Sequence, residues 1–352
     1  MTSTTKYQLS REGQGAQANP RRPRKVPPVV ELPRGGRKVG VHRTHGEYDA
    51  QLTGRGRLSV YLQGDLAAAF TPVPGAGRGR PSYPSPGILI ALVLRTLDGL
   101  ALRQTQGRVA DLLAMLGHHH LPVPDHTTLS RRLRTLDPAA IEAFLRQVLP
   151  NRASRRTGGV VLAVDGTGLT LSAPGAYYRD KHHDKRRGKY LILHAAIDTL
   201  TGELLAHVVT ASTGPGSGDA SQGPVLVKAA HARLTAAGDR LAGVVGDGAY
   251  SGAPMFAACA KVHAPLVPNM PDNAAYGSHP DRDVVRAQHG RHGKPEWKRR
   301  TGYHERSLIE AWNGALKRTV GERVASRRED NMSAEVDLKV LLYSALVTTR
   351  AA

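Results

Sequence analysis

One short, fully apolar run, Val160–Val164, constrains the fold more than any other stretch of this 352-residue chain. It is rich in β-branched residues and shows no polar alternation, which is typical of a strand buried on both faces. We therefore expect an α/β unit with helices packed across a sheet. The run stops at Asp165, and a second apolar run, Leu241–Gly246, stops at Asp247 in the same way.

Further strands and helices are predicted around these two runs. Tyr190–Ile197 and Glu203–Ala211 are joined by a turn-rich connection, which predicts a pair of neighbouring strands. The other predicted elements are helices at Pro224–Ala237, at Gly252–Val262 and near Ser333–Thr348, and a short strand at Ala264–Val267. In this order of elements, adjacent strand ends can bring Asp165 and Asp247 together.

The stretch Tyr303–Lys317 predicts an amphipathic helix after a long polar, basic connection at Asn269–Arg300. At about 100° per residue, four polar side chains of this helix fall within an arc of roughly 60°. They are Tyr303, Arg306, Glu310 and Lys317. The opposite side is apolar and suited to docking on a core. A solvent-facing helix with simple ion pairs remains an alternative for this stretch alone.

The net charge of +20 indicates a polyanionic partner, most often nucleic acid. Three carboxylates, Asp165, Asp247 and Glu310, would attract hard divalent cations in so basic a chain, and Mg²⁺ prefers oxygen ligands. Two such ions support in-line phosphoryl transfer. Each aspartate taken alone is as well explained as a turn former or a cap.

The N-terminal part divides into two predicted segments. Residues 1–46 are basic and poor in apolar residues, which predicts a disordered arm. Residues 47–150 predict a small all-α domain, in which Asp125 opens a short basic helix. Helix, turn and basic helix is typical of a helix-turn-helix DNA reader, although many helical bundles share the pattern. The DNA-contacting residues expected there are Arg131, Arg132 and Arg134. Residues 151–352 are then expected to form the α/β domain that carries Asp165, Asp247 and Glu310.

The sequence predicts a cytoplasmic protein without a membrane partner. No apolar signal segment follows the N-terminus, and the longest apolar run, Ile88–Leu94, is far too short to span a bilayer. The single cysteine, Cys259, excludes an internal disulfide.

Tyr303, Arg306, Glu310 and Lys317 meet the pattern Tyr-x2-Arg-x3-Glu-x6-Lys without deviation. Through this signature, over about residues 85–350, the chain resembles the DDE transposases of bacterial insertion sequences. The similarity is to the insertion-sequence-five group and its insertion-sequence-four relatives. Asp165 with Gly166 and Thr167, and the segment 246–250, also resemble the first and second acidic motifs of that family. The resemblance implies an RNase H-like catalytic core, a mixed central sheet flanked by helices.

The same resemblance implies roles for individual residues and partners. Asp165, Asp247 and Glu310 would be a catalytic, metal-binding triad that uses Mg²⁺, with Mn²⁺ as a substitute. Arg306 and Lys317 would hold DNA near the cleaved strand, with Tyr303 beside them. The substrates would be double-stranded DNA, both the terminal inverted repeats and the target, bound by a homodimer in a synaptic complex. The enzyme would work on the bacterial nucleoid, cleaving 3′ ends and transferring strands.

Two alternatives to this function stay open on the sequence. The first is a catalytically inactive or domesticated DNA-binding regulator, which loss of a triad carboxylate would mark. The second is an RNase H-like nuclease without strand transfer, which only joining activity on a second duplex would exclude.

Overall fold

The computed structural model describes residues 26–33, 64–75, 81–149, 159–171 and 190–348, together with the single residues 46, 49, 53, 56 and 62. Most of the predicted N-terminal arm lies outside the described residues, so its predicted disorder stays a prediction. The division into an arm and two domains likewise stays a prediction.

Among the described residues before the sheet, five helices have defined bounds. They are α1 (Leu66–Phe70), α2 (Ser85–Asp98), α3 (Leu102–Met115), α4 (His126–Leu133) and α5 (Pro138–Val148). The apolar run of α2, residues 88–94, is at most 2% exposed. Residues 116–125 separate α3 from α4, a longer connection than the 3–4-residue turn of a helix-turn-helix motif. None of the described helices is long and apolar enough to cross a membrane alone; α2 and α3 pass that test only as a pair bent by 111°.

In the part of the chain that the structure describes, the sheet has six strands. They are β1 (Val160–Leu171), β2 (Tyr190–Asp198), β3 (Leu204–Ala211), β4 (Leu241–Gly246), β5 (Leu266–Pro268) and β6 (Arg323–Val324). Their order is β3-β2-β1-β4-β5, and β6 pairs with the far end of β1. The first three strands are antiparallel, whereas β4 and β5 run parallel to β1. A mixed sheet of this kind, flanked by helices, fits an RNase H-like core.

Among the described residues after β1, six further helices have defined bounds. They are α6 (Asp219–Ala236), α7 (Ala253–Lys261), α8 (Pro280–His292), α9 (Lys294–Thr301), α10 (Ser307–Val320) and α11 (Glu329–Thr348). Helix α6 packs on β1 to β4, while α10 packs on β1 and α11 packs on β3. The C-terminal α11 also packs on α2, α4 and α5, so it joins the N-terminal helices to the sheet.

Strand β1 is longer than the sequence suggested. It continues past Asp165 to Leu171 because β2 pairs with it as far as Thr170 and β6 pairs with its last two residues. On the other side, β4 pairs with β1 only from Val160 to Ala163. Among the described strands, none covers that side of residues 164–169. We call this open stretch of β1 the notch.

The helices that precede and follow β4 differ from the prediction. The polar connection expected at Asn269–Arg300 contains α8 and α9, whose few buried side chains include Trp297. Helix α6 begins at Asp219, five residues before Pro224, so Pro224 lies inside the helix, where it lacks the backbone N–H of a helical hydrogen bond.

Residues 26–33, inside the predicted arm, form an extended segment that packs on the catalytic part. Leu32 is 4% exposed and fills the space left by the missing side chain of Gly243. Gln288 donates hydrogen bonds from Nε2 to the carbonyls of Pro27 and Pro28. An apolar anchor and paired carbonyls therefore hold this short segment.

Candidate active site

The fold brings the ends of three elements together at the notch. Asp165 lies on β1 inside the notch, and Asp247 directly follows β4, which runs parallel to β1 and ends beside it. Glu310 lies in the first turn of α10, which packs on β1. The sequence prediction that these three carboxylates approach one another is therefore consistent with the topology.

The stretch that begins at Tyr303 is not one continuous α-helix. Tyr303–Arg306 forms a 3₁₀ turn, and α10 starts after it at Ser307. The turn is set off from α9 by Gly302, whose φ of 74° suits a residue without a side chain. Tyr303 is buried, and burial raises its pKa. Its ring packs in the protein and anchors the turn that positions Arg306.

A single guanidinium, that of Arg306, contacts all three carboxylates. Its Nη1 lies 2.6 Å from Oε1 of Glu310. Its Nη2 lies 3.8 Å from Oδ1 of Asp165 and 3.9 Å from Oδ2 of Asp247. The Nε atom is buried without a hydrogen-bond partner among the described residues. One cation therefore stands among three anionic groups.

Each aspartate uses one oxygen for local structure and turns the other toward Arg306. Oδ2 of Asp165 accepts a hydrogen bond from Nδ2 of Asn313 at 3.0 Å. Oδ1 of Asp247 accepts from the backbone N–H of Ala249 at 2.8 Å and caps a short 3₁₀ turn. The capping role considered for Asp247 is thus present, and it leaves Oδ2 available to the cluster.

The surroundings of Asp165 disfavour the ionised form of its carboxylate. Burial raises the pKa of Asp165 to about 6, with further upward contributions from the charges of Asp247 and Asp219. Arg306 and the Asn313 hydrogen bond act in the opposite direction but do not outweigh burial. An additional cation near Asp165 would therefore lower the energy of the ionised site.

The donor chemistry fits a hard divalent cation, because carboxylate oxygens are the ligands that such ions prefer. Within the described part of the chain, however, no three His, Cys, Asp or Glu side chains surround one point suited to a metal ion. The guanidinium of Arg306 stands between the three carboxylates instead. Asn313 adds a buried Oδ1 atom that has no hydrogen-bond partner among the described residues. Metal binding at these residues would require Arg306 to exchange its carboxylate partners.

The predicted DNA-contacting cations lie in two regions. Lys317 is half-buried on α10, seven residues after Glu310. Arg131 is exposed on α4, where its Nη2 contacts Oγ1 of Thr128 at 3.3 Å.

The other two arginines near α4 have partners within the protein. Arg132 donates to the carbonyl of Tyr83 at 2.8 Å and to Oγ of Ser85 at 3.1 Å, at the start of α2. Arg134 lies 3.7 Å from Oδ2 of Asp330 in α11. The three arginines therefore differ in how much of each guanidinium is available.

The sequence interpretation missed three residues near the carboxylates. Asn313 follows Glu310 by three positions and so lies on the same side of α10, a spacing that pointed to it. Asp219 is the only acidic residue in the Gly/Ser-rich stretch 214–223, and His194 is the only polar residue within an apolar part of β2. Because the predicted helix began at Pro224, Asp219 was assigned to the preceding loop and was not considered.

Comparison with family models identifies the family of the chain. Residues 156–345 match a model described as a transposase DDE domain, which covers more than half of the chain. The chain belongs to the DDE transposases. A second model with the same description matches residues 53–173, so the two matches together span most of the N-terminal helices and the sheet. The transposase is accordingly a DNA-cleaving and strand-transferring enzyme, and its family uses divalent metal ions.

Proposed function

We propose that this transposase binds the terminal inverted repeats of an insertion sequence and carries out 3′-end cleavage and strand transfer at Asp165, Asp247 and Glu310. The observation that carries the proposal is the contact of one guanidinium with all three carboxylates, because it places them within reach of a common cation. Their arrival from β1, from the end of β4 and from α10 supports the same assignment.

The three carboxylates would hold Mg²⁺, or Mn²⁺ in its place. Bound there, two such ions would activate the attacking oxygen and stabilise the leaving oxygen of an in-line phosphoryl transfer. Asn313 orients Asp165 by holding its Oδ2, so that Oδ1 points toward the cluster. Asp247 is oriented in the same way by the Ala249 N–H.

Arg306 and Lys317 would bind the phosphates that flank the reacting strand. A guanidinium forms bidentate contacts with a phosphate, whereas an ammonium acts as a point charge. Arg306 would exchange its carboxylate contacts for a phosphate when the substrate arrives. Tyr303 supports this residue through the 3₁₀ turn.

The basic α4 helix would contact the duplex away from the reacting strand, through Arg131, Arg132 and Arg134. Since two element ends must be cut and joined together, we further propose a homodimer in the synaptic complex. The net charge of +20 supports a long phosphate contact of this kind.

The test is cleavage of a duplex that carries the element's own end, with and without Mg²⁺. Glu310→Ala is compared with Glu329→Ala, an exposed glutamate in the first turn of the neighbouring helix α11. We expect Mg²⁺-dependent cleavage that falls by at least about 100-fold in Glu310→Ala and is unchanged in Glu329→Ala.

Other outcomes separate the alternatives. Binding of the duplex without cleavage in any metal would support a regulator and overturn the proposal. Cleavage without joining to a second duplex would support a nuclease that lacks strand transfer.

A further inference from the structure

A buried histidine holds a fourth carboxylate next to the notch. His194 lies in β2 and is fully buried. Its Nδ1 atom is 2.7 Å from Oδ1 of Asp219, and its Nε2 atom is 2.9 Å from Oγ1 of Thr210. Because an ionised carboxylate only accepts hydrogen bonds, Nδ1 carries the proton shared with Asp219. Both ring nitrogens therefore have partners, and the ring fixes the position of Oδ1.

The backbone of β1 is shaped to receive this carboxylate. A Cβ atom at Gly166 would stand 3.0 Å from Cγ of Asp219 and closer still to Oδ1, so a side chain at position 166 would collide with it. Gly166 pairs with His194 across the two strands, so both positions face the same side of the sheet. Asp165, the neighbouring residue, faces the other side.

The notch lets the carboxylates on the two sides of β1 act on one another. Beyond Ala163, β4 no longer covers this edge of β1, and Asp247 lies where β4 ends. The charge of Asp219 contributes to the raised pKa of Asp165 across this gap. Asp219 thus joins Asp165 and Asp247 at the edge of the notch.

A buried hydroxyl marks the same place. Tyr250 is fully buried, and its hydroxyl makes no hydrogen bond of ordinary geometry with the described residues. Burial raises its pKa, and the charges of Asp219, Asp165 and Asp247 raise it further. The Asp219 carboxylate also acts on this hydroxyl as a hydrogen-bonding neighbour, so the hydroxyl lies at the carboxylates, where bound water or a hydrated cation would complete its incomplete hydrogen bonding.

We propose that Asp219, held by His194, is a positioning carboxylate for divalent-cation binding at the notch. Its Oδ1 is committed to the histidine, so Asp219 acts on a cation at the notch through its negative charge. The side chain of Asp219 is 29% exposed, so water reaches it. This inference rests on the proposed function of Asp165, Asp247 and Glu310.

The chain offers a matched control for this pair. His207 in β3 contacts Asp337 in α11 at 2.8 Å, and the Asp337 side chain is 24% exposed, close to the value for Asp219. Register places His207 opposite Ala195, so this second His–Asp pair lies on the other side of the sheet from His194. A structural role alone predicts equal effects when the two aspartates are changed.

The experiment is titration of the full-length, DNA-free protein with Mn²⁺, followed by electron paramagnetic resonance of the free ion. Asp219→Asn keeps an oxygen acceptor for His194 and removes only the charge, so its unfolding midpoint should match that of the wild type. We expect its Mn²⁺ affinity to fall by about tenfold or more. Asp337→Asn should leave the affinity unchanged.

A second variant tests the position of the Asp219 carboxylate without removing its charge. Gly166→Ala displaces the Asp219 carboxylate by steric overlap, so it should also weaken Mn²⁺ binding. Wild-type affinity in both Asp219→Asn and Gly166→Ala would overturn the proposal, as would an equal loss in Asp337→Asn.

Asp165→Asn, titrated in parallel, separates this inference from the proposed function. If Asp165→Asn weakens Mn²⁺ binding and Asp219→Asn does not, only the role of Asp219 fails. If neither variant changes the affinity, both assignments fail. If the wild-type protein binds Mn²⁺ only with a duplex present, the same titrations are made on the complex, and absence of binding there overturns both.

Discussion

Two carboxylate–arginine clusters in this protein, one around Glu335 and one around Arg306, differ in how fully their charges are compensated. Glu335 in α11 is 1% exposed and has partners on both oxygens. Oε1 accepts from the N–H of Ala325 at 2.8 Å, while Oε2 accepts from the N–H and hydroxyl of Ser326 and contacts Arg95 at 3.1 Å. Burial alone would raise the pKa of Glu335, but Arg95 and these donors outweigh it and hold the pKa below its ordinary value.

The Arg306 cluster is built from the same residue types with fewer donors. Asp165 has one hydrogen bond, from Asn313, and its other oxygen lies at a long 3.8 Å from the guanidinium. Burial therefore dominates, and the pKa of Asp165 rises to about 6. The difference indicates that the Glu335 cluster stabilises the fold, whereas the Arg306 cluster is short of positive charge, as the proposed cation site requires.

The largest stability effect is expected at Glu335. Glu335→Ala removes the partner of Arg95, which is 5% exposed, and leaves the donors of Ala325 and Ser326 without an acceptor. We expect a loss of about 3–5 kcal/mol in the free energy of unfolding, measured by urea denaturation.

A surface pair provides the control for this change. Asp98 contacts Arg108 at 3.1 Å, but both side chains are substantially exposed. Asp98→Ala should cost less than about 1 kcal/mol. Equal losses of stability in Glu335→Ala and Asp98→Ala would contradict the stabilising role assigned to the Glu335 cluster.

Replacing Asp165 should raise the free energy of unfolding, whereas replacing Glu335 should lower it. Its pKa is higher in the folded protein than in the unfolded chain, so the folded state holds the proton more tightly. Stability of the metal-free protein should therefore fall as pH rises from about 4 to about 6, where Asp165 ionises only at a cost in the fold. Asp165→Asn removes that cost, and we expect a gain of about 2–3 kcal/mol at pH 8.

Denaturation at pH 4 and pH 8 with a chelator present measures this effect. The gain should be small at pH 4, where the wild-type carboxyl is already protonated. Asp247→Asn is a useful second variant, since its Oδ1 caps a turn through a hydrogen bond that an amide oxygen can also accept. If Asp165→Asn is less stable than the wild type at pH 8, the inference that the ionised Asp165 carboxylate destabilises the metal-free fold is wrong.

Much of the fold was predictable from local patterns. Continuous apolar runs located β1 and β4, because strands buried on both faces need no alternation. The order of strands and helices then sufficed to place Asp165 beside Asp247. The end of β1 was not predictable, because β6, only two residues long, pairs with it from 150 residues away in the sequence.

The site was predicted less completely than the fold. The spacing of Arg306 and Glu310 identified the ion pair that the structure contains. Tyr303 was wrongly placed on the same helix, because a 3₁₀ turn interrupts the helical periodicity at Arg306. His194 and Asp219 lie 25 residues apart, and only the sheet register and the early start of α6 bring them together.

The arginines of α4 also differ in whether the guanidinium has hydrogen-bond partners elsewhere in the protein. Arg132 donates two hydrogen bonds to the residues that start α2, so it resembles Arg95 more than Arg306. We expect Arg132→Ala to lower the free energy of unfolding by about 1 kcal/mol, because two charge-assisted hydrogen bonds at a partly exposed site are lost. Thermal and urea denaturation would measure the loss. An unchanged stability would show that Arg132 is as available for DNA as its neighbour.

Arg131 should show the smallest stability effect and a clear effect on DNA. Its guanidinium is exposed and contacts only Thr128 on its own helix among the hydrogen bonds found, so Arg131→Ala should change the free energy of unfolding by less than about 0.5 kcal/mol. If Arg131 contacts a phosphate, the variant should bind a duplex more weakly at every sequence tested. The slope of log affinity against log salt should then fall by about one. A wild-type slope in Arg131→Ala, together with a reduced slope in Arg132→Ala, would reverse the assignment and make the paired arginine the DNA contact.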